Sequence, residues 1–433
     1  EGKPPSHKRS TFTLKRTNDT HPAARAADVS SEPSITIRIG KKHIELSGSH
    51  PRAVYWATTY FLRQHVGVRW YMPGRLGLHL PANLPERLRL GTVTSRPRFI
   101  SRTFSGLPNH QRAWMKHQNL FRKDHFHHRL HRLFTEEVYE KHPDWFSLFK
   151  GHRIRPDPEK ASQNAQPNLL HPEVANYAAE QAIEAFQDDP NRSSFSLGIS
   201  DSGLFDTSAR TLAAMDFDPG FRGRPDYSNV VFRFMNRAAE HVSEDDPDRS
   251  LGALAYYYAE NIPDFPVHSQ VLPYLTSDRS QWYDPSYRKQ DKRLMKAWSE
   301  KGPKRIGMYD YYYGQGFLFP RFYPKIIKKS LSYAAEVGID GFYAELYPLW
   351  GLDGPKPWIA AQLLWDPTQD VATLLKDYCR HFYGEEAASP MLDYWHLWER
   401  IWMEQPGEAV WIRYYYNVGQ FSLFDHKQLQ KAE

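Results

Sequence analysis

Cysteine is all but missing from this sequence. Cys379 stands alone among 433 residues, so no intrachain disulfide can form, and its place beside Tyr378 in an expected helix marks it as inert core. No apolar run is long enough to span a bilayer, which excludes a membrane-spanning helix. Glu1 to Thr20 is polar and has no apolar stretch of the kind a signal peptide needs. Charge of one sign is not concentrated either. The net charge is +6, yet no run of five or more Lys and Arg occurs. The expectation is mild attraction to anionic ligands and no nucleic-acid footprint. A Gly-rich phosphate loop and a Gly-x-Ser-x-Gly elbow are both absent, which removes the usual marks of a nucleotide-binding or serine-hydrolase site. Four histidines cluster at His125, His127, His128 and His131. In a helix His127 and His131 would share a face at i, i+4. No Glu completes an H-E-x-x-H pattern and no Cys lies nearby, so neither a metal nor a cofactor is expected.

Aromatic residues are abundant by contrast, with 13 Trp and 26 Tyr. Rings in such number build either a large aromatic core or the lining of a ligand cleft. The apolar pattern divides the chain. Ile35, Ile37 and Ile39 alternate on one strand face, with Ile44 and Leu46 as the partner strand across Gly40-Lys41-Lys42. Ser49-His50-Pro51 opens a helix whose Val54, Ala57, Phe61 and Leu62 share a face. With an irregular stretch before them, these elements define a small α/β domain over 1–95, and the Pro81–Pro85 stretch and Arg96-Pro97 mark its exit. From Phe99 onward, short buried strands near Phe195, Leu251, Arg305 and Gly341 alternate with amphipathic helices over 172–186, 230–242 and 324–337, the last capped by Gly338. This alternation favours a parallel sheet flanked by helices over 96–385. Further helices are expected at 358–365, 371–382 and 387–403, with a C-terminal helical segment over 386–433 and no clean eighth strand.

Three of the strands end on acids. The stretches are Phe195-Ser-Leu-Gly-Ile-Ser-Asp201, Arg305-Ile-Gly-Met-Tyr-Asp310 and Gly341-Phe-Tyr-Ala-Glu345. Carboxylates at the C-terminal ends of barrel strands build a catalytic mouth, and glycoside hydrolysis needs two of them around the scissile bond. Glu345, Asp201 and Asp310 are therefore the catalytic candidates. The phenols of Tyr309-Asp-Tyr-Tyr-Tyr313 are expected to donate to Asp310 and hold it ionised. Strand alternation places Tyr256 and Tyr258 on one face, with Tyr258 as a substrate-binding residue.

Several motifs carry a resemblance. The run from Val54 to Pro73, ending Gly67-Val-Arg-Trp-Tyr-Met-Pro73, resembles the small domain that precedes the barrel in α-glucuronidases and hexosaminidases. His125-Phe-His-His128, His142-Pro-Asp-Trp-Phe146, Asn168-Leu-Leu-His-Pro-Glu173 and Leu363-Leu-Trp-Asp-Pro367 occur in the order found in the barrel family called domain of unknown function 4838. The resemblance covers about 50–385. It implies a glycoside hydrolase-like (β/α)8 barrel of the TIM type, preceded by the small α/β domain and followed by C-terminal helices. Carried over by position, Asp201 is the acid, with Asp310 and Glu345 as bases. The sequence departs from those relatives by placing Asp201-Ser202 where α-glucuronidases have Glu and hexosaminidases an Asp-Glu pair, which argues against substrate-assisted chemistry.

The expected activity is hydrolysis of a glycosidic bond in a polysaccharide or oligosaccharide, with an acidic glycan favoured by the basic balance. His125, His128 and Tyr258 would position the sugar, and Trp145 or Trp350 would stack on a ring. Arg153 would pair a substrate carboxylate or sulfate. Asn168 and Tyr309 complete the substrate-binding set. The partner is a carbohydrate, with no nucleic acid and no membrane span, and the oligomeric state stays open. Two alternatives stand beside this reading: a barrel that binds sugar without cleaving it, and a metal-dependent hydrolase built on the histidines. The expected location is periplasmic or secreted, with any signal peptide absent from this chain, and a cytoplasmic one remains open.

Overall fold

The computed structural model describes residues 11–16, 33–157, 163–164, 166–215 and 222–433. The expected irregular stretch at the start lies outside them, except that Thr11–Arg16 forms strand β1. β1 runs parallel to β3 (His43–Gly48), which is the antiparallel partner of β2 (Ile35–Ile39), and β4 (Gly91–Ser95) closes the other edge beside β2. The register sets Ile37 opposite Leu46 and Ile39 opposite Ile44. These side chains are buried with Ala53, Trp56, Ala57 and Phe61 of helix α1 (Pro51–Phe61). The His50 ring caps α1 by accepting from the Ala53 N–H at 3.2 Å. Trp365, from the far end of the chain, completes this core and ties the small sheet to the larger one.

Six parallel strands form the main sheet, in spatial order β6-β7-β8-β9-β10-β5. They are β5 (Ser101–Ser105), β6 (Ser194–Ser196), β7 (Ser250–Ala255), β8 (Val271–Thr276), β9 (Gly307–Tyr311) and β10 (Gly341–Glu345). Helices α2 (Pro172–Asp188), α3 (Ser228–Asp245), α4 (Pro285–Ser299), α5 (Pro324–Glu336) and α6 (Lys356–Trp365) connect or follow them. Helices α7 (Val371–Tyr383) and α8 (Glu385–Met403) pack together after the last strand. Cys379 on α7 is buried, and burial pushes its thiol up to about 12, which leaves it inert near neutrality. Among the described residues no helix is long and apolar enough to cross a membrane.

The eight strands implied by resemblance are not formed among the described residues. The gap between edge strands β5 and β6 holds the irregular segment 121–128. Phe121 bridges Arg102, and His128 bridges Gly198. The Asp124 N–H donates to Ser101 Oγ on one edge at 3.1 Å, and the His125 N–H donates to Ser194 Oγ on the other at 2.8 Å. One segment touching both edges requires a sheet curled round on itself. Gly252 makes room for it, since a Cβ there would lie 1.9 Å from the His125 carbonyl oxygen. At the N-terminal end of the strands, Arg305 pairs with both Asp124 (2.8 Å) and Asp340 (2.9 Å), and Tyr274 donates to Asp124.

After α8 the chain loses helical form and runs as a strap over 404–417. Asp284 accepts from the Ala409 N–H at 3.0 Å and Asp278 from the Ile412 N–H at 3.1 Å, which pins the strap to the loop after β8.

Candidate active site

Alternation decides which side chains meet at the C-terminal ends of the strands. On β9, Tyr309 and Tyr311 face one way, and the chain carries Tyr313 to the same side. The last residue of β10, Glu345, stands beside Tyr311 in the parallel register and shares that face. β7 contributes Leu254, Tyr256 follows it, Thr276 ends β8, and the loop after β6 delivers Asp201. His128 adds a further wall, and Trp411 and Ile412 of the strap complete the lining. The cavity they enclose measures about 250 Å3.

Glu345 is held by two phenols. Tyr309 donates to its Oε1 and Tyr313 to its Oε2. Burial, followed by the neighbouring phenols Tyr311 and Tyr343 and by Glu345 itself, pushes Tyr309 far above the usual phenol range. Burial and then Glu345 do the same to Tyr313. Both hydroxyls therefore keep their protons and act as donors, which leaves both Glu345 oxygens as acceptors. Asp201 is exposed. It accepts from the Tyr256 hydroxyl at 3.2 Å, and its N–H donates to Gln163 Oε1 at 2.8 Å. The ring of His128 is fixed by a 2.6 Å contact between Nδ1 and the Ile199 carbonyl oxygen and meets Tyr256 edge to face.

The cavity thus brings together Glu345, Asp201, Tyr309 and His128 from the expected set. Asp310 is not there. It follows Tyr309 directly, so alternation turns it to the opposite face, where it is fully buried. It accepts from the N–H groups of Arg279 (3.0 Å) and Tyr311 (2.8 Å), not from phenols. Burial pushes it up to about 7, the reverse of the expected direction. Tyr258 is displaced by one step. β7 ends at Ala255, and Tyr257 adopts a φ of +56°, so strict alternation stops there. Tyr256 enters the Glu345 cavity, whereas Tyr258 lines an adjoining cavity of about 340 Å3 that shares Asp201 and Tyr256.

The other expected contacts lie elsewhere. His125 sits in the segment that fills the sheet gap, and its ring does not line the cavity. Trp145 stacks on His142, and Arg153 donates to the Phe146 carbonyl at 2.6 Å. The Asn168 N–H donates to the Trp145 carbonyl at 2.7 Å, so these three form a separate cluster around the Phe146 backbone. Trp350 meets Trp114 edge to face and donates to Gln111 Oε1 at 2.9 Å. Among the described residues no group of His, Cys, Asp and Glu is arranged to hold a metal ion. His127 is packed against Tyr309 and Tyr343, and burial lowers it to about 3, so it stays neutral.

Tyr256, Thr276, Tyr311, Tyr313, Trp411 and Ile412 were not among the expected site residues. The tyrosines of β9 were legible in principle, because Tyr309, Tyr311 and Tyr313 share a parity. Nothing in the local sequence of Trp411 and Ile412 connects them with a strand end more than sixty residues earlier.

The fold is similar to that of solved glycoside hydrolases. It is similar to a family 89 glycoside hydrolase from Clostridium perfringens in complex with 2-acetamido-1,2-dideoxynojirmycin, at a TM-score of 0.51 and 8% identity over 93% of this chain and 51% of that one. It is equally similar to a form of the Clostridium perfringens enzyme with two glutamates replaced by glutamine, bound to its substrate GlcNAc-α-1,4-galactose (TM-score 0.51, 9% identity, 92% of this chain and 51% of that one). A family 115 4-O-methyl-α-glucuronidase with specificity for decorated arabinogalactans gives a TM-score of 0.49 at 10% identity, covering 90% of this chain and 56% of that one. The chain spans about half the length of these structures, and the likeness to the Clostridium perfringens enzyme, at 8–9% identity, is one of fold. No curated protein matches the sequence. The chain belongs to the family described as Domain of unknown function (DUF4838), whose profile matches residues 78–396.

Proposed function

We propose that this protein hydrolyses a glycosidic bond in a polysaccharide or oligosaccharide, with Glu345 and Asp201 as the acting carboxyls. The observation that carries the proposal is their convergence, from separate strand ends, on one aromatic-walled cavity of about 250 Å3. Two carboxyls and a ring-lined cleft are what acid-assisted departure of a sugar oxygen requires. Glu345, with a hydroxyl donor on each oxygen, suits the base or nucleophile. Asp201, with one hydroxyl donor from Tyr256 against the two on Glu345, is the carboxyl left for the proton donor. Tyr256, Tyr311 and His128 would bind sugar hydroxyls, and Trp411 offers a ring face. The scaffold is taken as a (β/α)8-type barrel in which 121–128 occupies the place of regular strand pairing.

The test is a screen for reducing-end release across neutral, uronate-bearing and sulfated glycans, repeated with Glu345→Gln and Asp201→Asn. Wild-type protein should release sugar from at least one glycan. Each variant should lose about 10²–10⁴-fold in turnover with unchanged thermal unfolding, the usual range for a positioned acid or base. Turnover close to wild type in both variants would remove the assignment. Glycan binding with no release at all would favour the non-catalytic barrel.

A further inference from the structure

Trp411 lines a second cavity, of about 420 Å3, as well as the one that holds Glu345. Two arginines stand in its wall, and they are not equivalent. Arg222 forms an almost fully buried ion pair with Glu260 and donates to Ser277 Oγ at 2.9 Å and to the Tyr287 hydroxyl at 3.0 Å. Arg224 has no carboxylate partner among the described residues. Its guanidinium instead lies 3.7 Å from the centre of the Tyr257 ring and 6.0 Å from that of Trp411, and its Nη1 is shut off from water with no hydrogen-bond partner. Tyr257 reaches this position through its left-handed backbone, which a tyrosine rarely adopts.

A guanidinium stripped of part of its water and given no counter-charge among the described residues is unfavourable, and the neighbouring Arg222 adds to the positive field. The carboxylates in the same cavity do not answer it. Asp284 is engaged by the N–H groups of Ser286 (2.7 Å), Tyr287 (3.2 Å) and Ala409 (3.0 Å), and Glu408 is exposed. Among the described residues no carboxylate is placed on Arg224, whose guanidinium lines the cavity. A guanidinium presents paired N–H donors that match a carboxylate or a sulfate, and the adjacent indole suits a sugar ring.

We infer that Arg224, over Tyr257 and beside Trp411, is a subsite for an anionic substituent, a carboxylate or a sulfate, on a glycan that also enters the Glu345 cavity. This rests on the glycan reading of that cavity and narrows it to acidic chains. Charge recognition then lies at Arg224, not at Arg153, whose guanidinium serves the Phe146 carbonyl and Asp206.

The experiment is binding to an array of uronate-bearing, sulfated and neutral glycans by Glu345→Gln protein, which keeps the ligands uncleaved, with and without Arg224→Met or Arg224→Lys. Binding should concentrate on uronate-bearing or on sulfated glycans, and whichever is retained identifies the oxyanion. Arg224→Met should weaken it tenfold or more while leaving any neutral binding unchanged. Arg224→Lys, which keeps the charge but loses the paired donors, should fall between and serves as the arbiter if Arg224→Met does not fold. Binding of neutral glycans alone, no binding of anionic ones, or an unchanged affinity in both Arg224 variants would overturn the subsite. Normal turnover in Glu345→Gln would instead overturn the hydrolase reading, so the two failures are separable.

Discussion

Glu345 and Asp310 end the same argument in opposite ways, although both are acids on adjacent strands. Glu345 accepts from Tyr309 and Tyr313. Removing either hydroxyl costs one hydrogen bond to a charged group, roughly 1.5–3 kcal/mol. Tyr309→Phe and Tyr313→Phe are therefore each expected to lower kcat/KM by about 10–100-fold, with KM less affected than kcat. Asp310 has one oxygen bound by two N–H groups, while Oδ2 is buried without a hydrogen-bond partner among the described residues. Its folded value of about 7 lies above the ordinary 3.8, so the folded protein holds this proton more tightly than the unfolded chain. That contribution to stability is complete at low pH and is lost as pH rises from about 4 through about 7. Asp310→Asn keeps the accepting oxygen and removes the charge. The difference in Tm between variant and wild type should be small near pH 4 and grow in favour of the variant toward pH 8, with activity preserved. A difference independent of pH would show that Asp310 does not titrate in this window.

The elements that build the site differ in how far the sequence reveals them. β9 and β10 begin close to Arg305 and Gly341 and carry clear apolar and aromatic runs, so their acids were visible. The face on which each acid lies is legible from period-two alternation, whereas a position at a strand end, the ground on which Asp310 is a candidate, does not by itself say which face the side chain takes. β8 carries a weak strand signal because Pro273 interrupts its apolar run and no α-helix separates it from β7. β5, Ser-Arg-Thr-Phe-Ser, is too polar to announce a buried strand. The segment 121–128 shows no period at all, because it fills a gap between strand edges through backbone and hydroxyl contacts. Its packing gives an expectation of its own. Gly252→Ala would set a methyl group against the His125 carbonyl, and backbone there has little freedom to move. The variant should lose roughly 1–3 kcal/mol in denaturant unfolding, the usual range for overpacking. A loss near zero would mean that 121–128 is not held inside the curl of the sheet.

At the scale of the whole molecule, the site exists only because distant parts of the chain return to one place. Asp201, Tyr256, Thr276, Tyr311 and Glu345 come from successive strand ends, and Trp411 arrives on the strap after α8. Ile412, Tyr414 and Tyr416 in or beside that strap all have positive φ, a conformation unfavourable for such side chains, and Asp278 and Asp284 hold the strap in place. Such long-range closure is invisible to local pattern, which is why the alternating parallel strands and helices and the strand-end positions of Asp201 and Glu345 are legible in the sequence while the number of strands and the walls of the cavity are not. The central claim is that the cavity is a hydrolytic site in which Glu345 acts directly. Its most direct test is single-turnover release of reducing sugar by Glu345→Gln on a glycan that the wild type cleaves. The expected result is undiminished binding with the cleavage step slowed by at least about 100-fold, and cleavage at the wild-type rate would contradict it.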